Sequence, residues 1–329
     1  MKKMNLFKKC VALACVTSMI LTGCGKKADD NNSGATENPA PTESASNEMI
    51  TITDAKGEVQ IPANPKRIVD ISGNSDILSI LGYSVIGTAN SDAYDYTRFP
   101  SYLEEVLYGA EILGYSMQDT MDIEGILALE PDLIIISSTH EKMYEQLKEI
   151  APTVMIQLAQ TDWKEDVMNV ANVMNKTEQA EQWLAQYKET AAKMGEKVKE
   201  TYGEDTTYLT FLASGGSIFV FDKAGIGSVL YEDMGLARPA GLPEQQDISL
   251  PVVTYEGLAA IDADVIFAVG TEEDFAQLKA SPIYNSMPAV KNGKVVELPC
   301  SPYFNIGYSS IGRSIFVNEV MDLMEKINE

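Results

Sequence analysis

Along residues 177–202 the apolar or large side chains fall at Ala180, Trp183, Leu184, Tyr187, Ala191, Met194, Val198 and Tyr202. Steps of three and four set them in one stripe on one face of a helix. Thr177 stands where an N-cap would, Glu178 suits the first turn, no proline interrupts the run and Gly203 ends it. At about 1.5 Å per residue the helix is roughly 39 Å long, the diameter of a small domain. An ordinary surface helix could carry such a stripe. Its flanks argue for more, because they resemble each other.

The likeness pairs DIEGILALEPDLIII, from Asp122, with TYEGLAAIDADVIFA, from Thr254. Without a gap, Glu124 meets Glu256, Gly125 meets Gly257, Ala128 meets Ala260, Asp132 meets Asp264 and Ile134 meets Ile266, with Leu129/Ile261 and Leu133/Val265 as conservative pairs. Each copy predicts a short helix, a tight turn and a buried strand, the unit of open parallel sheets. Two related α/β lobes, 48–176 and 203–329, are therefore expected on either side of the helix 177–202.

The remaining pattern fits that frame. Alternation from Met49 to Pro62 predicts strand, turn, strand, and NPKRIVDIS and SVIGT predict buried strands. TTYLTFLASGGSIFVFD predicts two strands about a Gly215–Gly216 turn; Ser214–Ser217 lacks the Gly-Lys-Ser/Thr ending of a phosphate loop. Helices are predicted over 163–174, GSVLYEDMGL and about 311–327, and an Asn292–Gly293 turn leads into a strand. Two loops collect aromatics, ANSDAYDYTRFPSY and SPYFNIGYSS. Loops at the carboxyl ends of parallel strands are where α/β proteins place binding groups.

With 329 residues and 45 % hydrophobic content the chain can fill two cores. Its formal net charge of −23 argues against nucleic acid or anionic head groups as broad electrostatic partners. MKKMNLFKK gives a basic start, CVALACVTSMI an apolar core and LTGC small residues before Cys24. This resembles a bacterial lipoprotein signal, cut before Cys24, with that cysteine acylated. The alternative, a plain anchor helix, is weaker because a bilayer-spanning helix needs about 20 apolar residues. The expected layout begins with a signal peptide over 1–23, followed by lipidated Cys24 and a polar tether to residue 47 that lacks the means to form a core. The protein is expected on the extracytoplasmic face of the cell membrane, held by the lipid alone. Loss of Lys2, Lys3, Lys8 and Lys9 takes the side-chain charge from −23 to −27. Cys10 and Cys15 leave with the signal, so Cys300 remains alone as a structural thiol and no disulfide framework is expected.

Taken in order, NPKRIV, IEGILALEPDLIII, APTV, WKEDV, VLYEDMGL, TYEGLAAIDADVIF and SPIYNSMPAVKNGKVVEL resemble the lipid-anchored solute-binding proteins of ATP-binding-cassette importers for iron-siderophores, haem or cobalamin. The resemblance covers nearly the whole mature chain. It implies an α/β fold of two Rossmann-like lobes with parallel-rich sheets, joined by one long rigid helix, with a ligand cleft between them. It implies a monomer that hands a small iron chelate to a permease dimer with its ATPase subunits, and no catalysis. In that family an acidic residue at the top of each lobe pairs with permease arginines, and Glu124 and Glu256 match those positions. Bidentate arginine–carboxylate pairing would supply orientation as well as attraction.

The ligand is narrowed by residue types. One histidine in the chain disfavours a zinc or manganese site, and its place in the first half disfavours haem, whose binders in this family draw a histidine from the second lobe. The four arginines, Arg67, Arg98, Arg238 and Arg313, are scattered, whereas anionic iron-catecholates call for clustered cations. An Fe(III)-siderophore of hydroxamate type is favoured, with no resident cofactor and no protein–metal bond; haem and cobalamin remain the alternatives. The cleft candidates are Tyr94, Tyr96, Arg98, Tyr115 and His140 from the first lobe, with Arg238, Tyr303, Phe304 and Tyr308 from the second. A cleft hydrolase is the rival class, but no G-x-S-x-G elbow is present. A surface adhesin would leave the repeat unexplained.

Overall fold

Strands buried on both faces read as unbroken apolar runs, and those at the rim alternate. Both kinds occur here. The computed structural model describes residues 48–90, 92–159 and 162–327; the expected signal segment, Cys24 and the tether lie outside them. The alternating stretch pairs β1 (Met49–Asp54) with β2 (Gly57–Pro62) as an antiparallel hairpin.

The first sheet holds β3 (Ile68–Asp70), β4 (Val85–Asn90), β5 (Glu111–Tyr115), β6 (Leu133–Ser137) and β7 (Thr153–Ile156), in the order β5-β4-β3-β6-β7 with every pair parallel. Its helices are α1 (Ser75–Ile80), α2 (Ile123–Ala128), α3 (Tyr144–Lys148) and α4 (Trp163–Val173). After α5 (Thr177–Tyr202) comes the second sheet, β8 (Tyr208–Ser214), β9 (Ser217–Val220), β10 (Val252–Val253), β11 (Val265–Gly270) and β12 (Val295–Pro299), in the order β10-β9-β8-β11-β12. The helices of this half are α6 (Gly225–Ser228), α7 (Tyr255–Ala259), α8 (Glu272–Ala280), α9 (Pro282–Ser286), α10 (Pro288–Lys291), α11 (Cys300–Ile306) and α12 (Ser310–Glu325).

The repeat is written into the hydrogen bonds. The Asp132 carboxylate accepts from the Lys66 and Arg67 amides at 2.7 and 2.9 Å, fastening the entry to β3. Asp264 accepts from the Thr207 amide at 2.9 Å and fastens the entry to β8. The next residues keep step: Leu133 lies opposite Ile68, and Val265 opposite Tyr208. The caps agree as well, since Asp122 accepts from the Gly125 amide and Thr254 from the Gly257 amide. One strand breaks the symmetry. Gly215 and Gly216, at φ 57° and 80°, form the two-residue turn that twisted hairpins prefer, so β9 runs antiparallel, whereas α1 carries the chain across to a parallel β4.

Helix α5 has the expected span, although its cap differs. Asn175, at φ 53°, has already turned the chain, so Lys176 occupies the N-cap position and Thr177 is the first helical residue. Ala180 and Leu184 pack into the apolar cluster of the first half, with Leu133, Val154 and Val170. Tyr187, Ala191 and Val198 pack into that of the second, with Phe267, Phe316 and Val320. The closest approach is at Gly195, where a Cβ would stand 1.9 Å from the Met234 carbonyl oxygen. Tyr102, Leu103 and Leu107, before β5, also join the second cluster, so apolar packing crosses between the halves.

Two predicted elements come out differently. GSVLYEDMGL is not one α-helix: after α6 the chain widens into a π turn over Val229–Asp233, with the Met234 amide donating to the Val229 carbonyl. SPYFNIGYSS, expected as a loop, is largely α11, because a proline at the start of a helix forfeits only an amide that lacks a partner there anyway.

Candidate functional site

The halves meet at the carboxyl edges of their parallel strands, where the loops after β3 and β4 face α11 and the start of α12. Asp76, in the first turn of α1, reaches across: its Oδ2 accepts from Ser309 Oγ and the Ser310 amide, both at 2.7 Å. A carboxylate from one half therefore caps a helix of the other, satisfying amides that have no partner within the helix. Asp92 accepts from Ser301 Oγ with one oxygen and from the Tyr94 amide at 2.9 Å with the other. Asn305 Oδ1 takes the Ala93 amide at 3.0 Å. Beneath these contacts Asp70 is enclosed by Ser72 Oγ and Ser75 Oγ, each at 2.6 Å. Burial pushes the carboxyls of both Asp70 and Asp76 above the usual range.

Aromatic rings lie along the same seam. Tyr94 stands edge-on to Phe304, with centroids 5.5 Å apart, and Phe304 is 5.9 Å from Tyr308 and 6.3 Å from Phe221. The Tyr94 phenol lies beside Ser214 and Cys300, and removal from water pushes it up to about 12. The same cause raises the buried Cys300 thiol to about 11, as befits an unreactive structural thiol. On the first-half side Tyr96 and Tyr115 pair at 5.5 Å.

The other candidates are directed elsewhere. Arg98 grips Asp95 through Nε and Nη2 at 2.9 and 2.7 Å and is otherwise in solvent. With Thr97 as the leading cause and Arg98 next, Asp95 is drawn down to about 2. His140 is fully buried against Ser137, and burial holds its pKa below the ordinary value. It was expected among the ligand-binding residues of the cleft, and its enclosure within the first half leaves it no exposed surface to offer a ligand. Tyr303 turns to α12, its ring 6.5 Å from Phe316 and its hydroxyl 3.3 Å from Glu319. Arg238 is bound to Asp222 at 2.6 Å and to the Leu242 carbonyl at 2.8 Å. It lines a separate 360 Å³ surface cavity with Tyr231 and Glu232, at the end of β9 remote from the Gly215–Gly216 turn. Tyr94, Phe304 and Tyr308 lie together across the seam, Tyr96 and Tyr115 pair on the first-half side, Arg98 is exposed on the same loop as Tyr94, His140 is buried, and Tyr303 and Arg238 are engaged within the second half. Sequence reasoning missed Asp76, Asp92, Ser301 and Asn305. The one available signal was Ser309, a hydroxyl before an apolar run, which marks a helix start but not its distant partner.

A second junction lies along α5. Asp233, on the π turn, accepts from Arg313 Nη1 and the Tyr187 hydroxyl, both at 2.7 Å, and pairs with Lys164 of α4 at 3.2 Å. Arg313 also donates to Ser228 Oγ at 2.7 Å and lies 4.8 Å from the Trp163 ring centroid. Trp163 and Trp183 stand edge to face at 6.2 Å, and Trp183 stacks on Tyr187.

Two lobes with facing carboxyl edges, bridged by one helix, describe a binding architecture, and the sequence profile headed Periplasmic binding protein matches residues 73–302. The chain belongs to the periplasmic binding protein family. The family is one of binding proteins and not of enzymes. Among the relatives of this binding protein is the iron(3+)-hydroxamate-binding protein FhuD of Bacillus subtilis, 28 % identical over 326 residues, covering 96 % of this chain and 98 % of that one. Another is the ferric-anguibactin-binding protein FatB of Vibrio anguillarum, 23 % identical, with 94 % and 96 % covered. The fold is similar to that of a crystal structure of a FhuD-fold binding-protein component of a ferrichrome transporter from Bacillus subtilis, with TM-score 0.69, 26 % identity and coverage of 83 % of this chain and 99 % of that one.

Proposed function

We propose that this protein is the extracytoplasmic binding lipoprotein of an ATP-binding-cassette importer, anchored through Cys24, that captures an Fe(III)-siderophore of hydroxamate type between lobes 48–176 and 203–329. The observation that carries the ligand class is the chemistry of the seam. Its walls are aromatic rings, its polar groups include the carboxylates of Asp76 and Asp92, and the nearby Arg98 is occupied by Asp95. Such a surface suits a near-neutral chelate with apolar faces better than a polyanionic catecholate or citrate complex, which needs convergent cations. FhuD is named for iron(3+)-hydroxamate, while other relatives of similar identity are named for Fe(3+)-citrate and petrobactin, so the relatives support an iron chelate and the seam chemistry carries the choice among them. Full burial of His140 removes the one histidine that could serve haem as an axial ligand.

The proposed wall is Tyr94, Tyr96, Tyr115, Phe304 and Tyr308, and the iron stays within its chelate. Glu124 and Glu256, exposed in the first turns of α2 and α7, dock on a permease dimer coupled to its ATPase subunits. Titration of Trp163 and Trp183 fluorescence with ferric hydroxamates, ferric catecholates, haem and cobalamin tests the ligand assignment. Saturable quenching by the hydroxamates at submicromolar concentration is expected; a flat response to them overturns it.

A further inference from the structure

The five rings of the proposed wall do not form one surface. Tyr94, Phe304 and Tyr308 meet across the seam, in contact with both halves. Tyr96 and Tyr115 stand on the first half alone, their centroids 5.5 Å apart and their planes inclined at 34°. Tyr96 is 55 % exposed, so this second pair is open to a ligand group. The face of an aromatic ring is electron-rich, and two faces set at an angle attract a cation rather than an anion.

A carboxylate stands beside that pair. In the sheet Asn90 lies opposite Tyr115, and the Ser116 amide donates to the Asn90 carbonyl at 3.0 Å. Asn90 Oδ1 in turn accepts from the Asp92 amide at 3.1 Å, which ties the loop bearing Tyr96 to the end of the strand bearing Tyr115. Burial, and after it the charge of Asp92, push the Tyr115 phenol up. The two oxygens of Asp92 have different duties. Oδ1 accepts from the Tyr94 and Asp95 amides at 2.9 and 3.3 Å and shapes the loop, whereas Oδ2 accepts from Ser301 Oγ on α11, in the other half. When the seam opens, Oδ1 keeps its partners and Oδ2 loses its own. Arg98 does not fill the place, because its Nε and Nη2 are both held by Asp95. With Asp92, Asp95 and Arg98, the loop carries one carboxylate more than it has cations.

We infer that Asp92, Tyr96 and Tyr115 form a subsite for a primary ammonium, and that the chelate captured is a ferric trihydroxamate with such a group pendant from it. The inference rests on the proposed hydroxamate reading and adds the sign of the ligand's charge. Three hydroxamates neutralise Fe(III), so the chelate core is uncharged and suits the rings of Tyr94, Phe304 and Tyr308. The ammonium takes the place of the Ser301 hydroxyl on Asp92 Oδ2, with its charge against the faces of Tyr96 and Tyr115. A net charge of −23 on the chain also draws a cationic chelate toward the molecule.

Two ferric trihydroxamates that differ in one group test this: a linear chelate ending in a primary ammonium, and the same chelate with that amine acetylated. Calorimetric titration of each into the purified full-length protein is expected to show the ammonium form bound about tenfold more tightly at low salt, with the ratio shrinking as salt is added. Asp92→Asn should bring the ratio close to one. Tyr96→Leu, which leaves every carboxylate in place, should lower it about threefold. Because the readout is a ratio, any change in the ease of opening the seam affects both chelates alike. Equal affinities in the wild type, or a ratio that Asp92→Asn and Tyr96→Leu both leave intact, overturns the ammonium subsite while the hydroxamate reading stands. Binding of neither chelate overturns both.

Discussion

The front and the back of the lobe junction are held by different chemistry. At the back, Asp233 receives Arg313, Tyr187 and Lys164 while Trp163 lies over the guanidinium, so cations from α4 and α12 and a phenol from α5 converge on one buried carboxylate of the π turn. At the front, hydrogen bonds accepted by Asp76, Asp92 and Asn305 cross a seam that also holds aromatic ring contacts. At the back, loss of either partner of the Asp233–Arg313 pair would leave a charge away from water, whereas the front can open by exchanging each hydrogen bond for one to solvent or ligand. One side of the junction therefore acts as a weld and the other as a latch.

The weld is where the largest effect is expected. Asp233→Ala leaves the Arg313 guanidinium buried without its counter-charge and should cost about 3–5 kcal/mol in denaturant unfolding. Arg313→Met keeps the bulk and leaves Asp233 with Lys164 and the Tyr187 hydroxyl, so it should cost less than Asp233→Ala; equal losses would mean that those two contacts do not compensate the carboxylate. At the latch, Asp76→Ala strips the cap from α12 and should cost about 1–3 kcal/mol, read by the same unfolding curves. If it proves as damaging as Asp233→Ala, the distinction between front and back fails.

Smaller effects separate binding from folding. Tyr94→Ala should weaken ferric-hydroxamate affinity about tenfold, close to 1.4 kcal/mol, with the unfolding midpoint nearly unchanged. Tighter binding would instead make Tyr94 a stopper in the seam rather than part of its wall. The mildest effect is a pH slope. Because burial raises the Asp76 pKa in the folded protein, the stabilising contribution of its proton is complete below the unfolded value of about 3.9 and is lost as pH rises through the elevated folded value. The melting temperature of the wild type relative to Asp76→Asn should therefore fall as the pH is raised across that interval; a constant difference would show that Asp76 titrates alike in both states.

Much of the frame was legible because its signals are local or duplicated. The stripe on α5 has the helical period, and the Asp132/Asp264 pair could be read from register alone. What sequence missed depends on contacts across great chain separations. Asp76 meets Ser309 from 233 residues away, a relationship without any local periodicity. His140 was taken for a cleft residue from its place after β6, yet position along a strand does not reveal which groups roof it. The pairing of Arg98 with Asp95, three residues away on the same loop, was likewise not read from the sequence. The π turn was missed because its composition is that of an ordinary helix.

Gly195 has a mechanical corollary. With the Met234 carbonyl pressed against the helix backbone there, Ala180 lodged in the opposite core and Leu184, Tyr187 and Ala191 packed between, α5 is held along its length as a stiff strut. A transporter resting on both lobes would then sense ligand as a small change in span, in the manner of calipers on a stiff spring. Lengthening the spring by one helical turn should disturb signalling to the membrane before it disturbs capture.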